Sequence, residues 1–129
     1  MSNHYHLLLE TQTDNLSKAM RYINSRYAVY FNTKQKRVGH LWQGRFKSWY
    51  VTDEAYLYSF IKYIESNPLK AKMVKSLEQY KYSSYRAFIE LDEAPSCIHE
   101  SLLFKEYLNV DDRKCFFESA YDENQIAMI

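Results

Sequence analysis

The chain has only two glycines and two prolines in 129 residues. So few turn formers argue against a loop-rich fold and favour long helices. There are two cysteines, Cys97 and Cys115. They lack the spacing of metal ligands and are too few for a disulfide framework, so a reduced, cytoplasmic setting is expected. No apolar run is long enough to span a bilayer, and no signal peptide is visible, which argues against a membrane partner. Between Asp14 and Asp53 there is no acidic residue at all.

What is present points elsewhere. Hydrophobic residues make up 47% of the chain, enough to fold as one modest domain. Thirteen tyrosines dominate the aromatic content, and tyrosine joins a stacking face to a polar tip. The acid-free interval carries Lys18, Arg21, Arg26, Lys34, Lys36, Arg37, Arg45 and Lys47, interleaved with Tyr, Phe and Trp. That is the composition of a nucleic-acid surface, though a solvated face with a compensating tail has the same appearance. The tail does reverse the balance. Beyond Ala87, Glu90, Asp92, Glu93, Glu100, Glu106, Asp111, Asp112, Glu118, Asp122 and Glu123 stand against Lys105, Arg113 and Lys114.

Along the chain, Tyr5, Leu7 and Leu9 alternate with His4, His6 and Leu8, the period of a strand apolar on both faces and so central in a sheet. Thr13 or Asp14 is placed to cap a helix running to about Phe31, with Leu16, Met20, Ile23, Tyr27 and Phe31 as its core stripe. A turn at Gln43-Gly44 leads to an expected strand from Arg45 to Val51. The next helix, capped by Thr52 or Asp53, presents Leu57, Phe60, Ile61 and Ile64. Pro68 is expected to end it at Asn67. Residues 96–129 read as one or two acidic helices.

Two places carry chemistry. His4 and His6, two apart on a strand, face the same way and can converge on one divalent metal, although such pairs also occur as ordinary surface or core histidines. Tyr63 and Asn67, four apart on a helix, share a face. Asn67 offers a hard amide oxygen suited to Mg²⁺ or Mn²⁺, and Tyr63 beside a metal is a candidate nucleophile, the alternative being a half-buried tyrosine next to Ile64. Trp42, Trp49 and Tyr50 are candidates for stacking on unpaired bases, with core packing as the other fate of each tryptophan. Arg21, Arg26, Lys34, Lys36, Arg37, Gln43, Arg45 and Lys47 are candidates for DNA contact.

The segments His4-Tyr5-His6, Leu41-Trp42-Gln43-Gly44-Arg45-Phe46, Tyr63-Ile64-Glu65-Ser66-Asn67-Pro68 and Ser83-Ser84-Tyr85 occur in this order at close spacing. Over residues 1 to 90 the chain resembles the single-tyrosine HUH transposases, specifically REP-associated tyrosine transposases and their insertion-sequence relatives. The resemblance implies an α+β fold: a ferredoxin-like (RRM-like) antiparallel sheet with helices on one face, here N-terminally truncated, in a catalytic domain over 1–90, followed by a C-terminal helical extension over 91–129. It implies that His4, His6 and Asn67 bind Mg²⁺ or Mn²⁺, and that Tyr63 attacks single-stranded or hairpin DNA to leave a 5′-phosphotyrosine. In the resembled family a strand and a helix precede the HUH segment, which here begins at Met1. The chain is therefore expected either to pair with a second copy as a homodimer, along the exposed edge or by swapping, or to be poorly stable alone. Two other readings remain: a non-catalytic binder of DNA hairpins or single strands, and a metal-dependent hydrolase using water as nucleophile.

Overall fold

The computed structural model describes residue 1 and residues 3–120, apart from the side chains at 54, 55 and 99. Its elements are helices: α1 Leu16–Lys34, α2 Glu54–Lys70, α3 Tyr85–Phe88, α4 Ser96–His99, α5 Leu102–Glu106 and α6 Val110–Glu118, with a 3₁₀ turn at Leu77–Gln79. They fall into two compact units. One joins residues 1–8 to the described residues from Val51 onward; the other is Leu9–Tyr50.

The ferredoxin-like sheet is not there. Among the described residues no strand forms, and both expected strands, at 4–10 and at 45–51, run without ladder partners. The physical reason is that alternation only prepares a strand; backbone hydrogen bonds to a neighbour make one. Leu7 and Leu9 are accordingly half exposed, at 49% and 50%. The acidic tail is helical as expected, but in three short pieces rather than one or two, and its end at 121–129 lies outside the described residues.

In the Leu9–Tyr50 unit, α1 starts after Asn15, one or two residues later than the expected caps, and no side chain caps it. Of its expected stripe only Met20 is fully buried, while Ile23 and Tyr27 are exposed. The loop that follows folds back on the helix. The Trp42 indole N–H donates to the Asn24 carbonyl at 2.9 Å, its ring lies 5.8 Å from Tyr27, and the Asn32 amide donates to the Gly39 carbonyl at 2.9 Å.

Three helices end in the same way. Lys36, Lys72 and Glu90 take positive φ of 50°, 54° and 59°. At each, paired 6→1 and 5→2 bonds close the last turn: Arg37 N–H to Asn32 and Lys36 N–H to Thr33; Met73 to Pro68 and Lys72 to Leu69; Leu91 to Arg86 and Glu90 to Ala87. This is the Schellman closure, normally given to glycine because a Cβ is strained there. Lys36→Gly should therefore stabilise the fold by about 0.5–1 kcal/mol, read as a higher urea midpoint; an unchanged or lower midpoint would show that the lysine carries an offsetting contact. The closure at Lys72 also explains why α2 passes the expected stop. Pro68 lies in its last turn and leaves the Ile64 carbonyl without its i→i−4 donor, but the helix runs on past it to the closure, where the Pro68 carbonyl accepts from Met73 at 2.9 Å.

The core of the other unit is Phe88, Leu103 and Phe116, with Tyr58, Ile61, Phe104, Tyr107 and Phe117 packed around it. Arg113 lies inside, 1% exposed. Its guanidinium donates to the carbonyls of Phe88 at 2.5 Å, Tyr107 at 3.0 Å and Leu108 at 3.3 Å, pairs with Glu90, and stacks 4.4 Å from the Phe104 ring. Lys62 joins α2 to the end of α6, its ammonium 2.5 Å from the Ser119 hydroxyl and 4.4 Å from the Phe116 ring centroid. Burial holds Lys62 below the usual lysine range.

Candidate active site

Residues 1–8 and α2 belong to the same unit, and the three principal candidates meet there. The His4 and His6 rings are 5.1 Å apart and nearly perpendicular, and His6 lies 5.8 Å from the Tyr63 ring. Asn67 follows one turn later on the Tyr63 face of α2. No hydrogen bond ties it to either histidine among the described residues, and its buried Nδ2 has no hydrogen-bond partner.

Two features bear on what the histidines can do chemically. The Asn3 amide oxygen, which can only accept, lies 2.7 Å from His4 Nδ1. That places the proton on Nδ1 and leaves the Nε2 lone pair outward. Burial, then the neighbouring His4 and the N-terminal ammonium, hold His6 below the usual histidine range, favouring the neutral imidazole a metal needs. The unpartnered Asn67 Nδ2 is a donor and no ligand; a divalent cation here would draw on the two imidazoles and the Asn67 amide oxygen, with other oxygens completing its shell.

Tyr63 is half-buried. The Lys70 ammonium stands 6.0 Å from its ring centroid, and Ser66 donates to its backbone carbonyl at 3.2 Å. Between Tyr63 and Asn67, Glu65 turns inward and is 3% exposed. Ser84 donates to its Oε1, while Oε2 has no partner. Burial pushes the Glu65 carboxyl above its usual range, against the opposing hydrogen bonds from Ser84, Ser83 and the Tyr85 backbone. Glu65 and the Ser83-Ser84-Tyr85 turn thus lock α2 to the start of α3. Neither Glu65, the serine pair nor Asn3 has a role in the sequence expectations; a serine pair following an acidic residue on the preceding helix is the available signal.

A carboxyl whose folded pKa is raised stabilises the fold fully below its unfolded value and loses that contribution as pH rises through the folded one. Glu65→Gln keeps the acceptor and removes the charge. Its urea midpoint should therefore gain on the native protein's steadily as pH is raised from about 4 to 8. A constant difference across that range would mean that the Glu65 carboxyl titrates alike in the folded and unfolded chain, so that its burial does not raise it.

The candidate DNA contacts all lie in the Leu9–Tyr50 unit. Arg21, Arg26, Lys34, Lys36, Arg37, Gln43, Arg45 and Lys47 are exposed. Lys34 meets the Tyr30 hydroxyl at 3.1 Å, and Arg37 donates to the His40 carbonyl at 3.2 Å. Of the aromatic candidates, Trp42 is engaged with α1, whereas Trp49 and Tyr50 are 56% and 92% exposed. No helix among the described residues is long and apolar enough to cross a membrane.

A family model described as "Transposase IS200 like" matches residues 1–67, a span that includes His4, His6, Tyr63 and Asn67. No curated protein and no solved structure matches the chain.

Proposed function

The chain belongs to the IS200-like transposase family, and from that premise we propose that it cuts and rejoins single-stranded or hairpin DNA through Tyr63. The observation that carries this reading is the contact of the His4–His6 pair with the Tyr63 ring, made by residues far apart in the sequence. The Tyr63 oxygen attacks the scissile phosphorus. A tyrosine–phosphorus bond forms, the bond from phosphorus to the 3′ oxygen breaks, the phenol gives up its proton and the leaving 3′ oxygen gains one. The phosphotyrosine keeps the energy of the broken link, so attack by another 3′-hydroxyl rejoins strands without ATP.

His4, His6 and Asn67 would hold Mg²⁺ or Mn²⁺, which when bound offsets negative charge on the phosphate oxygens. Asn3 keeps His4 in the ligating tautomer, and the Glu65–Ser84 lock holds the helix that carries both Tyr63 and Asn67. Arg21, Arg26, Lys34, Lys36, Arg37, Arg45 and Lys47 supply a salt-sensitive phosphate path, and Trp49 and Tyr50 offer faces for unpaired bases. The test is a denaturing gel of the protein with labelled hairpin oligonucleotide and Mn²⁺. Label should travel with the protein and disappear with chelator or with Tyr63→Phe.

A second reading, a DNA binder without chemistry, draws on one observation: the candidate DNA contacts named from the sequence are all in the unit that lacks Tyr63, His4 and His6. Salt-sensitive binding with no adduct would favour it.

A further inference from the structure

Beyond Asn67 the chain makes a feature that the DNA candidates above do not include and that lies outside the span matched to the family. The Schellman closure at Lys72 turns the backbone out of α2 and back into the 3₁₀ turn, where Lys75 N–H donates to the Gln79 side chain at 3.0 Å. The result is an open groove of about 660 Å³ lined by Leu69, Lys72, Met73, Val74, Lys75 and Gln79. Its chemistry is mixed in a particular way. Leu69, Met73 and Val74 supply apolar surface that can serve as a floor for a base, Lys72 and Lys75 supply two cations, and the lining has no acidic residue. Among the described residues neither Lys72 nor Lys75 has a salt-bridge partner.

Place adds to composition. Leu69 is six residues past Tyr63 on the same helix, about 9 Å along its axis. Lys70, between Asn67 and the groove, has its ammonium over the Tyr63 ring. Lys70, Lys72 and Lys75 thus follow the proposed nucleophile in sequence, the first over its ring and the other two in the groove lining. Apolar surface beside two cations fits an unpaired nucleotide, with a base face on the apolar side chains and phosphates at the lysines. A peptide or an isolated phosphate would use one half of that surface.

We infer that this groove is a single-strand subsite, taking a nucleotide next to the scissile phosphate as the strand passes Tyr63. The inference rests on the strand-transfer reading of Tyr63 for its direction, but its test does not require cleavage. Affinity for a fluorescent single-stranded oligonucleotide is measured against salt for the native chain, for Lys72→Gln/Lys75→Gln, and for a control with the same charge change elsewhere, Lys105→Gln/Lys114→Gln. Loss of two phosphate contacts should reduce the slope of log K against log salt by about 1.4 and weaken binding about 25-fold at 0.1 M salt. The control should follow the native protein.

Equal behaviour of the two variants, no change in the groove variant, or no single-strand binding by the native chain would each overturn the subsite. An equal loss on duplex of the same sequence would overturn it too, because the floor requires an unpaired base. If the groove variant loses affinity as expected while the native protein forms no adduct, the subsite stands and the strand-transfer reading falls.

Discussion

Tyr63→Phe is expected to remove the covalent DNA adduct while leaving the protein folded and bound to DNA. The substitution deletes one oxygen and keeps the ring, so the contacts with His6 and Lys70 survive. Removing a nucleophile from an assembled site costs orders of magnitude in rate; at least about a thousandfold is expected here. Stability should stay within about 0.5 kcal/mol and oligonucleotide affinity within about threefold, because the phosphate contacts proposed above lie on other residues. That separation gives the experiment its force. With thirteen tyrosines in the chain, an adduct that persists in the variant would move the chemistry to another one and remove the main support for the His4–His6–Tyr63 site. Loss of binding together with the adduct would make Tyr63 a structural residue instead.

The second large effect concerns the fold. Arg113→Met should cost about 3 kcal/mol or more and lower the melting temperature by about 10 °C. Methionine fills a similar volume and keeps contact with Phe104, so the loss isolates the guanidinium. Without it the carbonyls of Phe88, Tyr107 and Leu108 lose their donors, and a buried unsatisfied acceptor costs about 1–3 kcal/mol. Arg113→Lys should recover little, since one ammonium cannot reach three carbonyls and Glu90 in the way a planar fork does. A loss below about 1 kcal/mol would show that water replaces the lost bonds. Lysine matching arginine would show that charge alone matters.

Arg113 also marks what the sequence could convey. Among the acidic residues of its tail it reads as a surface counter-charge; its burial depends on the nearby 104–108 segment and on Phe88 and Glu90, more than twenty residues back. The site candidates were easier to find, because their evidence is residue type at fixed spacing. His4 and His6 two apart, and Tyr63 and Asn67 four apart, are visible without knowing what they pack against. The sheet was misread for the opposite reason. Tyr5, Leu7 and Leu9 record a period, but a strand is a relation between two segments, and no described segment supplies the other half. Pro68 reads as a stop because proline disfavours helical geometry at the residue before it; the closure that follows, three backbone bonds from residues 71–73, holds the helix through it. Lys36, Lys72 and Glu90 escaped notice as helix ends because glycine is the usual signal there. Glu65 reads as one more surface acid; only Ser84, nineteen residues on, reveals that it faces inward.

The order of the two units along the chain has its own consequence. Residues 9–50 interrupt a body that begins before them and resumes after them, so by connectivity they are an insertion. The residues proposed to hold the strand along its phosphates lie mainly in the insert, and those proposed to cut it lie in the host. Substitutions in the insert would therefore change how tightly a strand is held while leaving the proposed ligands and nucleophile as they are. One continuous stretch of the gene then carries most of the affinity and little of the chemistry.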